Sequence, residues 1–98
     1  MDVILTNQFK RDCKLMRNRG YDMKKLDETL TLLETGRQLP AKYRAHKYCK
    51  GTPYIGCHIQ PDWVLIYEQR KDRVVMIRTA THSDLFLKNR ALPGRWRC

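Results

Sequence analysis

Tyr54-Ile55-Gly56-Cys57-His58-Ile59-Gln60-Pro61-Asp62-Trp63-Val64-Leu65-Ile66-Tyr67 is the stretch on which the fold turns. From Tyr54 the side chains alternate with a period of two. Tyr54, Gly56 and His58 share one face, and Ile55, Cys57 and Ile59 the other. Pro61-Asp62 makes a tight turn. Trp63 to Tyr67, rich in aromatic and β-branched side chains, is the most strand-prone run of the chain. Arg70-Lys71-Asp72-Arg73 is a charged turn, and Val74 to Thr79 is a further strand. Three consecutive strands with short links predict an antiparallel meander.

Upstream, Val3-Ile4-Leu5 reads as a first strand, and Thr6 or Asn7 can cap a helix behind it. Phe9, Cys13 and Met16 form that helix's apolar stripe, while Lys10, Arg11, Lys14, Arg17 and Arg19 make the remainder basic. Gly20 ends it. Asp22 caps a second helix with Met23, Leu26, Leu30 and Leu33 on its apolar face, ended by Gly36. The short link predicts an antiparallel helical hairpin. Residues 36–53 hold Gly36, Pro40, Gly51 and Pro53 among lysines and arginines, and read as a basic loop containing His46. The order β-α-α-β-β-β predicts an α+β domain, with both helices on one face of a small, mainly antiparallel sheet.

Ninety-eight residues make one domain. Twenty Lys+Arg against ten Asp+Glu give a formal charge of +10. Such an excess favours polyanions, nucleic acid first and an anionic membrane second, or an acidic protein partner. No basic segment followed by a long apolar one opens the chain, and no apolar run approaches the roughly 20 residues of a membrane span. A cytoplasmic location without membrane attachment is therefore expected. Of four cysteines, Cys13 and Cys57 fall on apolar faces. The Cys49…Cys57-His58 spacing lacks the short C-x₂₋₄-C knuckle of structural zinc sites.

The meander bears directly on the polar residues. His58 ends one strand, Asp62 opens the turn into the next, Arg78 lies near the end of the third and His82 just beyond it. In an up-down-up arrangement these points fall at one edge. His is the side chain whose free pKa lies near neutrality. Histidines, a carboxylate and an arginine together can run acid–base chemistry on a phosphodiester. Such chemistry needs a base, an acid and a cation that offsets the charge developing on phosphorus.

At these residues the chain resembles the YafQ branch of the RelE/ParE superfamily of bacterial type II toxins. The resemblance is carried by His46, by His58-Ile59-Gln60-Pro61-Asp62-Trp63-Val64-Leu65-Ile66-Tyr67, and by Arg78-Thr79-Ala80-Thr81-His82-Ser83-Asp84-Leu85-Phe86. It spans roughly residues 1–86, with a short C-terminal helix expected at its end. Residues 87–98, bearing Lys88, Arg90, Arg95, Trp96 and Arg97, form a basic extension beyond it. The resemblance implies a ribosome-dependent endoribonuclease that cuts mRNA in the A site, needs no metal or other cofactor, and is neutralised by a cognate antitoxin with an acidic segment. It also implies contact with operator DNA only through the antitoxin complex.

Carried over by motif position, His46, His58, Asp62, Arg78 and His82 are the candidate catalytic residues. Phe86 and Trp63 are candidate stacking partners for bases, and Lys47 and Lys50 candidate phosphate contacts. His58 or Asp62 serves as base, with Asp62 aided by His58 the favoured choice, because a carboxylate can also orient a neighbouring imidazole. His82 serves as acid and Arg78 as transition-state cation, with His46 assisting. Two competing readings share the composition. A gyrase inhibitor of the ParE type would not need the histidine set, and a non-catalytic RNA-binding module would leave no cut ends.

Overall fold

Thr6 is where the chain turns from strand to helix. The computed structural model describes residues 1–48, 51–82 and 84. Strand β1 (Asp2–Leu5) runs into Thr6, whose hydroxyl accepts from the Phe9 N–H at 3.1 Å and donates to the Met76 carbonyl at 2.8 Å. One side chain thus caps α1 (Asn7–Asn18) and ties it to the sheet. Gly20, at φ +89°, supplies the left-handed turn that ends this segment. Asp22 caps α2 (Met23–Glu34) by accepting from the Lys24 N–H.

The meander forms as its alternation predicts: β3 (Tyr54–Gln60), β4 (Trp63–Gln69) and β5 (Arg73–Thr81), each antiparallel to the next. β1 closes one side by pairing parallel to β5, giving the order β1-β5-β4-β3-β2. The basic segment differs from the loop expected of it. It contains a short 3₁₀ turn (Ala41–Tyr43) and a two-residue strand, β2 (His46–Lys47), paired antiparallel with β3. Two residues are too few for any periodicity, so only the partner strand reveals them. The expected C-terminal helix and the basic extension at 87–98, with Lys50 and Phe86, lie outside the described residues.

Both helices cover one sheet face. Phe9, Met16, Leu26 and Leu33 pack there against Cys57, Trp63, Leu65, Tyr67, Val74 and Met76. The opposite face carries a smaller apolar cluster of Tyr48, Val64, Ile66 and Ala80. Burial pushes the Cys57 thiol up to about 12 and, with help from Asp12, that of Cys13 to about 11. Both therefore stay protonated and serve as packing, not as nucleophiles. Among the described residues no helix is long and apolar enough to cross a membrane.

Candidate active site

Cross-strand register decides which polar side chains meet. His46 lies opposite Gly56, Gly56 opposite Ile66, and Ile66 opposite Arg78. In the next row His58 lies opposite Val64, and Val64 opposite Ala80. Directly opposed residues share a face, so His46, His58 and Arg78 all start from the face away from the helices. For Arg78 this depends on a bulge. Val74 and Met76 point into the helix-side core, and strict alternation would send residue 78 there too. The register shift between Ile66 and Tyr67 leaves Ile77 as an extra residue, and Arg78 emerges opposite Ile66 instead.

The three imidazoles form a row. The rings of His46 and His58 are stacked with centroids 6.0 Å apart, and those of His58 and His82 at 5.2 Å. His58 Nε2 and His82 Nε2 are 3.1 Å apart, so one proton is shared between them. His82 is placed by its backbone N–H, which donates to the Asp62 carbonyl at 2.9 Å. His46 Nδ1 lies 2.8 Å from the Arg44 carbonyl and donates to it, which leaves Nε2 to face the site. Arg44 reaches that position at φ 48°, a left-handed conformation that costs a non-glycine residue about 1 kcal/mol or more.

Burial, then the charge of Arg44 and of the neighbouring imidazoles His82 and His46, holds His58 below its free value of 6.5. His58 is therefore neutral at neutral pH. Its Nδ1 is buried without a hydrogen bond. The Tyr43 carbonyl exerts a weaker, opposing pull towards the protonated ring. Beside it, a cavity of about 190 Å³ is lined by Lys25, Glu28, Lys42, Tyr43, His58 and Ile59.

Asp62 is exposed, and its Oδ2 receives the Tyr21 hydroxyl at a long 3.4 Å. Arg78 is not a solvated strand arginine. Its side chain is 10% exposed, and its Nε and Nη2 donate to Asp12 Oδ2 and Oδ1 at 3.0 and 2.9 Å. Asp12 is the residue that sequence reasoning missed. It stands on α1 at i+3 from Phe9 and i−4 from Met16, squarely on the buried stripe. A lone aspartate on an apolar face was the available signal.

Trp63 requires a correction. It was a candidate base-stacking residue, but it is 0% exposed in the helix-side core. Tyr21 packs edge-on against it at 5.1 Å, and its indole N–H donates to Thr79 Oγ1 at 2.7 Å. A ring enclosed on both sides offers no face to a nucleobase. Trp63→Phe should therefore cost about 1–3 kcal/mol in denaturant unfolding, from the lost hydrogen bond and the smaller ring. RNA affinity of the folded variant should be unchanged; a weakened affinity at wild-type stability would return Trp63 to the binding surface. Lys47 is exposed on β2, but it pairs with Ile55, so its side chain starts from the face opposite that of His46.

The match to known proteins now has a geometry to stand on. The family described as "Bacterial toxin of type II toxin-antitoxin system, YafQ" matches residues 1–87. The chain belongs to the YafQ toxin family. The mRNA interferase toxin YafQ of Escherichia coli (strain B / BL21-DE3) is 39% identical over 89 residues, covering 87% of this chain and 95% of that protein. Among solved structures, YafQ from E. coli strain BL21(DE3) superposes with a TM-score of 0.81 at 36% identity, over 86% of this chain and 96% of that one. The YafQ chain of the E. coli DinJ-YafQ complex gives 0.78 at 36% identity, with the same coverage. The helices-on-a-sheet architecture is thus that of YafQ toxins. Curated YafQ relatives are mRNA interferases, that is, endoribonucleases. Among the described residues no three of His, Cys, Asp or Glu are grouped to hold a metal ion.

Proposed function

We propose that this YafQ-family toxin is an endoribonuclease that cuts mRNA on the ribosome by acid–base catalysis, and that a cognate antitoxin neutralises it. The His58–His82 contact carries this reading. The two imidazoles stand within hydrogen-bonding distance, and their environments differ. His58 is held neutral by burial and neighbouring charge, whereas His82 is exposed. A neutral ring suits removal of the 2′-OH proton, and a solvent-facing one suits delivery of a proton to the 5′-oxygen. The products would be a 2′,3′-cyclic phosphate or 3′-phosphate and a 5′-OH. Asp62 is the competing base, and Arg78 the cation that stabilises the phosphorane. His46 holds a stacked place beside His58. The formal charge of +10, with Arg44 beside the imidazole row, favours docking on ribosomal and messenger RNA.

Purified protein added to ribosomes programmed with mRNA should produce 5′-OH ends within A-site codons. Free mRNA should remain intact, and a co-expressed antitoxin should stop the reaction. Because the His58 value lies below 6.5, cleavage should persist as pH falls through 6.5 and decline only at the lower value, where the base becomes protonated. His58→Ala should remove that acid limb. Equal cutting of free and ribosome-bound RNA would overturn the ribosomal part. An acid limb retained in His58→Ala but lost in Asp62→Asn would transfer the base to Asp62.

A further inference from the structure

Asp12 is 5% exposed and lies on a helix, far in sequence from every motif residue. Its carboxylate nevertheless gathers four donors. Oδ2 accepts from Arg78 Nε at 3.0 Å and from the Thr79 backbone N–H at 3.2 Å. Oδ1 accepts from Arg78 Nη2 at 2.9 Å and from Gln8 Nε2 at 3.0 Å. The Thr79 contact arises because the β1 ladder stops at Leu5 opposite Met76. Beyond that point the outer edge of β5 is met by α1 instead of a strand. Asp12 therefore anchors both the backbone of the catalytic strand and the side chain that leaves it.

A buried ion pair is seldom the most stable way to fill such a space; apolar residues of equal volume generally do as well or better. Its chemical effect is different. Arginine is long and rotamer-rich, and a bidentate grip removes that freedom. The grip uses the Nε–Nη2 edge of the guanidinium. The grip fixes the plane and direction of the guanidinium as a whole.

We propose that Asp12 is a positioning residue: through Arg78 it sets the guanidinium in place for the phosphorane without itself touching RNA. This rests on the endoribonuclease reading above. It requires that loss of the carboxylate act on kcat, and only while residue 78 is an arginine.

The experiment is a double-variant cycle with Asp12→Asn and Arg78→Lys, read as kcat and KM on programmed ribosomes. In the Arg78 background, Asp12→Asn should lower kcat about 10- to 100-fold, the scale of an Å-sized misplacement, with KM for the ribosome little changed. In the Arg78→Lys background the same change should have an effect of less than about threefold, because lysine presents no Nε–Nη2 edge. Wild-type kcat in Asp12→Asn, or an equal loss in both backgrounds, would overturn the proposal, the latter indicating general damage. Should Asp12→Asn fail to fold, Asp12→Glu keeps the charge and displaces the guanidinium by one methylene; unchanged kcat there also overturns it. The Arg78 Nε–H resonance separates this from the parent reading. It should be sharp and slow to exchange in the wild type and broadened in Asp12→Asn, whether or not RNA is cut. If the wild type cuts nothing, the endoribonuclease reading fails; if the resonance is insensitive to Asp12, the clamp fails.

Discussion

Replacing His82 with alanine should slow mRNA cleavage about 10²- to 10⁴-fold, the usual contribution of a positioned general acid. Growth arrest on expression should vanish with it. The fold should not suffer. His82 is exposed, and its link to the Asp62 carbonyl is made by the backbone, which alanine keeps. Stability should therefore stay within about 0.5 kcal/mol of wild type, and antitoxin binding should be unaffected. The loss also has a second route. Without the His82 ring, His58 loses the partner that shares its proton and one of the charges that depress its pKa. The acid limb of the pH profile should then move up towards the ordinary imidazole value. Measuring 5′-OH ends on ribosome-bound mRNA across pH tests both at once. Full toxicity in His82→Ala would end the assignment.

The largest effect on stability should come from Arg78→Ala. It leaves the Asp12 carboxylate buried with its main counter-ion gone, which costs about 3–5 kcal/mol. That is a large share of the roughly 5–15 kcal/mol that holds a domain of this size together. The effect should be mostly repaired by removing the other charge as well. Asp12→Leu/Arg78→Met fills the space with apolar atoms and leaves the buried Thr79 amide and the partly buried Gln8 Nε2 without their acceptor. Its deficit should be about 1–3 kcal/mol. Denaturant melts of the two single variants and the double decide the matter. A double variant as unstable as the sum of the singles would mean that the charges are not coupled. The double should remain inactive on RNA, since the cation is gone, so stability would return without function.

Local pattern was enough to read both helices with their caps, the Pro61-Asp62 turn and the three-strand meander. Each is specified by neighbours within a few residues: Thr6 by Phe9, Asp22 by Lys24, and the strands by alternation. The approach of His58 to His82 followed from alternation and turn length. Other features have no local signature. The partner of Asp12 lies 66 residues away, so the aspartate on the apolar stripe marks an oddity without saying what it meets. The bulge at Ile77 inverts the facing of Arg78 relative to strict alternation, yet Val-Val-Met-Ile-Arg looks like any other strand. Trp63 shows the opposite failure. Its adjacency to Asp62 suggested a role at the site, but period-two geometry sends the neighbour of a turn residue to the far face, into the core.

The parallel pairing of β1 with β5 has a consequence for when the protein becomes dangerous to its host. Thr6 bonds to a carbonyl 70 residues further on, and the first strand synthesised waits for the one that follows all its neighbours in the sheet. Contacts so distant in sequence make for slow, late assembly. Strand β5 also carries Arg78 and leads straight into His82. Until that strand has left the ribosome, the nascent toxin has an unclosed sheet edge, an unpaired Asp12 and half of its imidazole pair. The topology thus withholds the completed site until β5 has emerged and closed on β1.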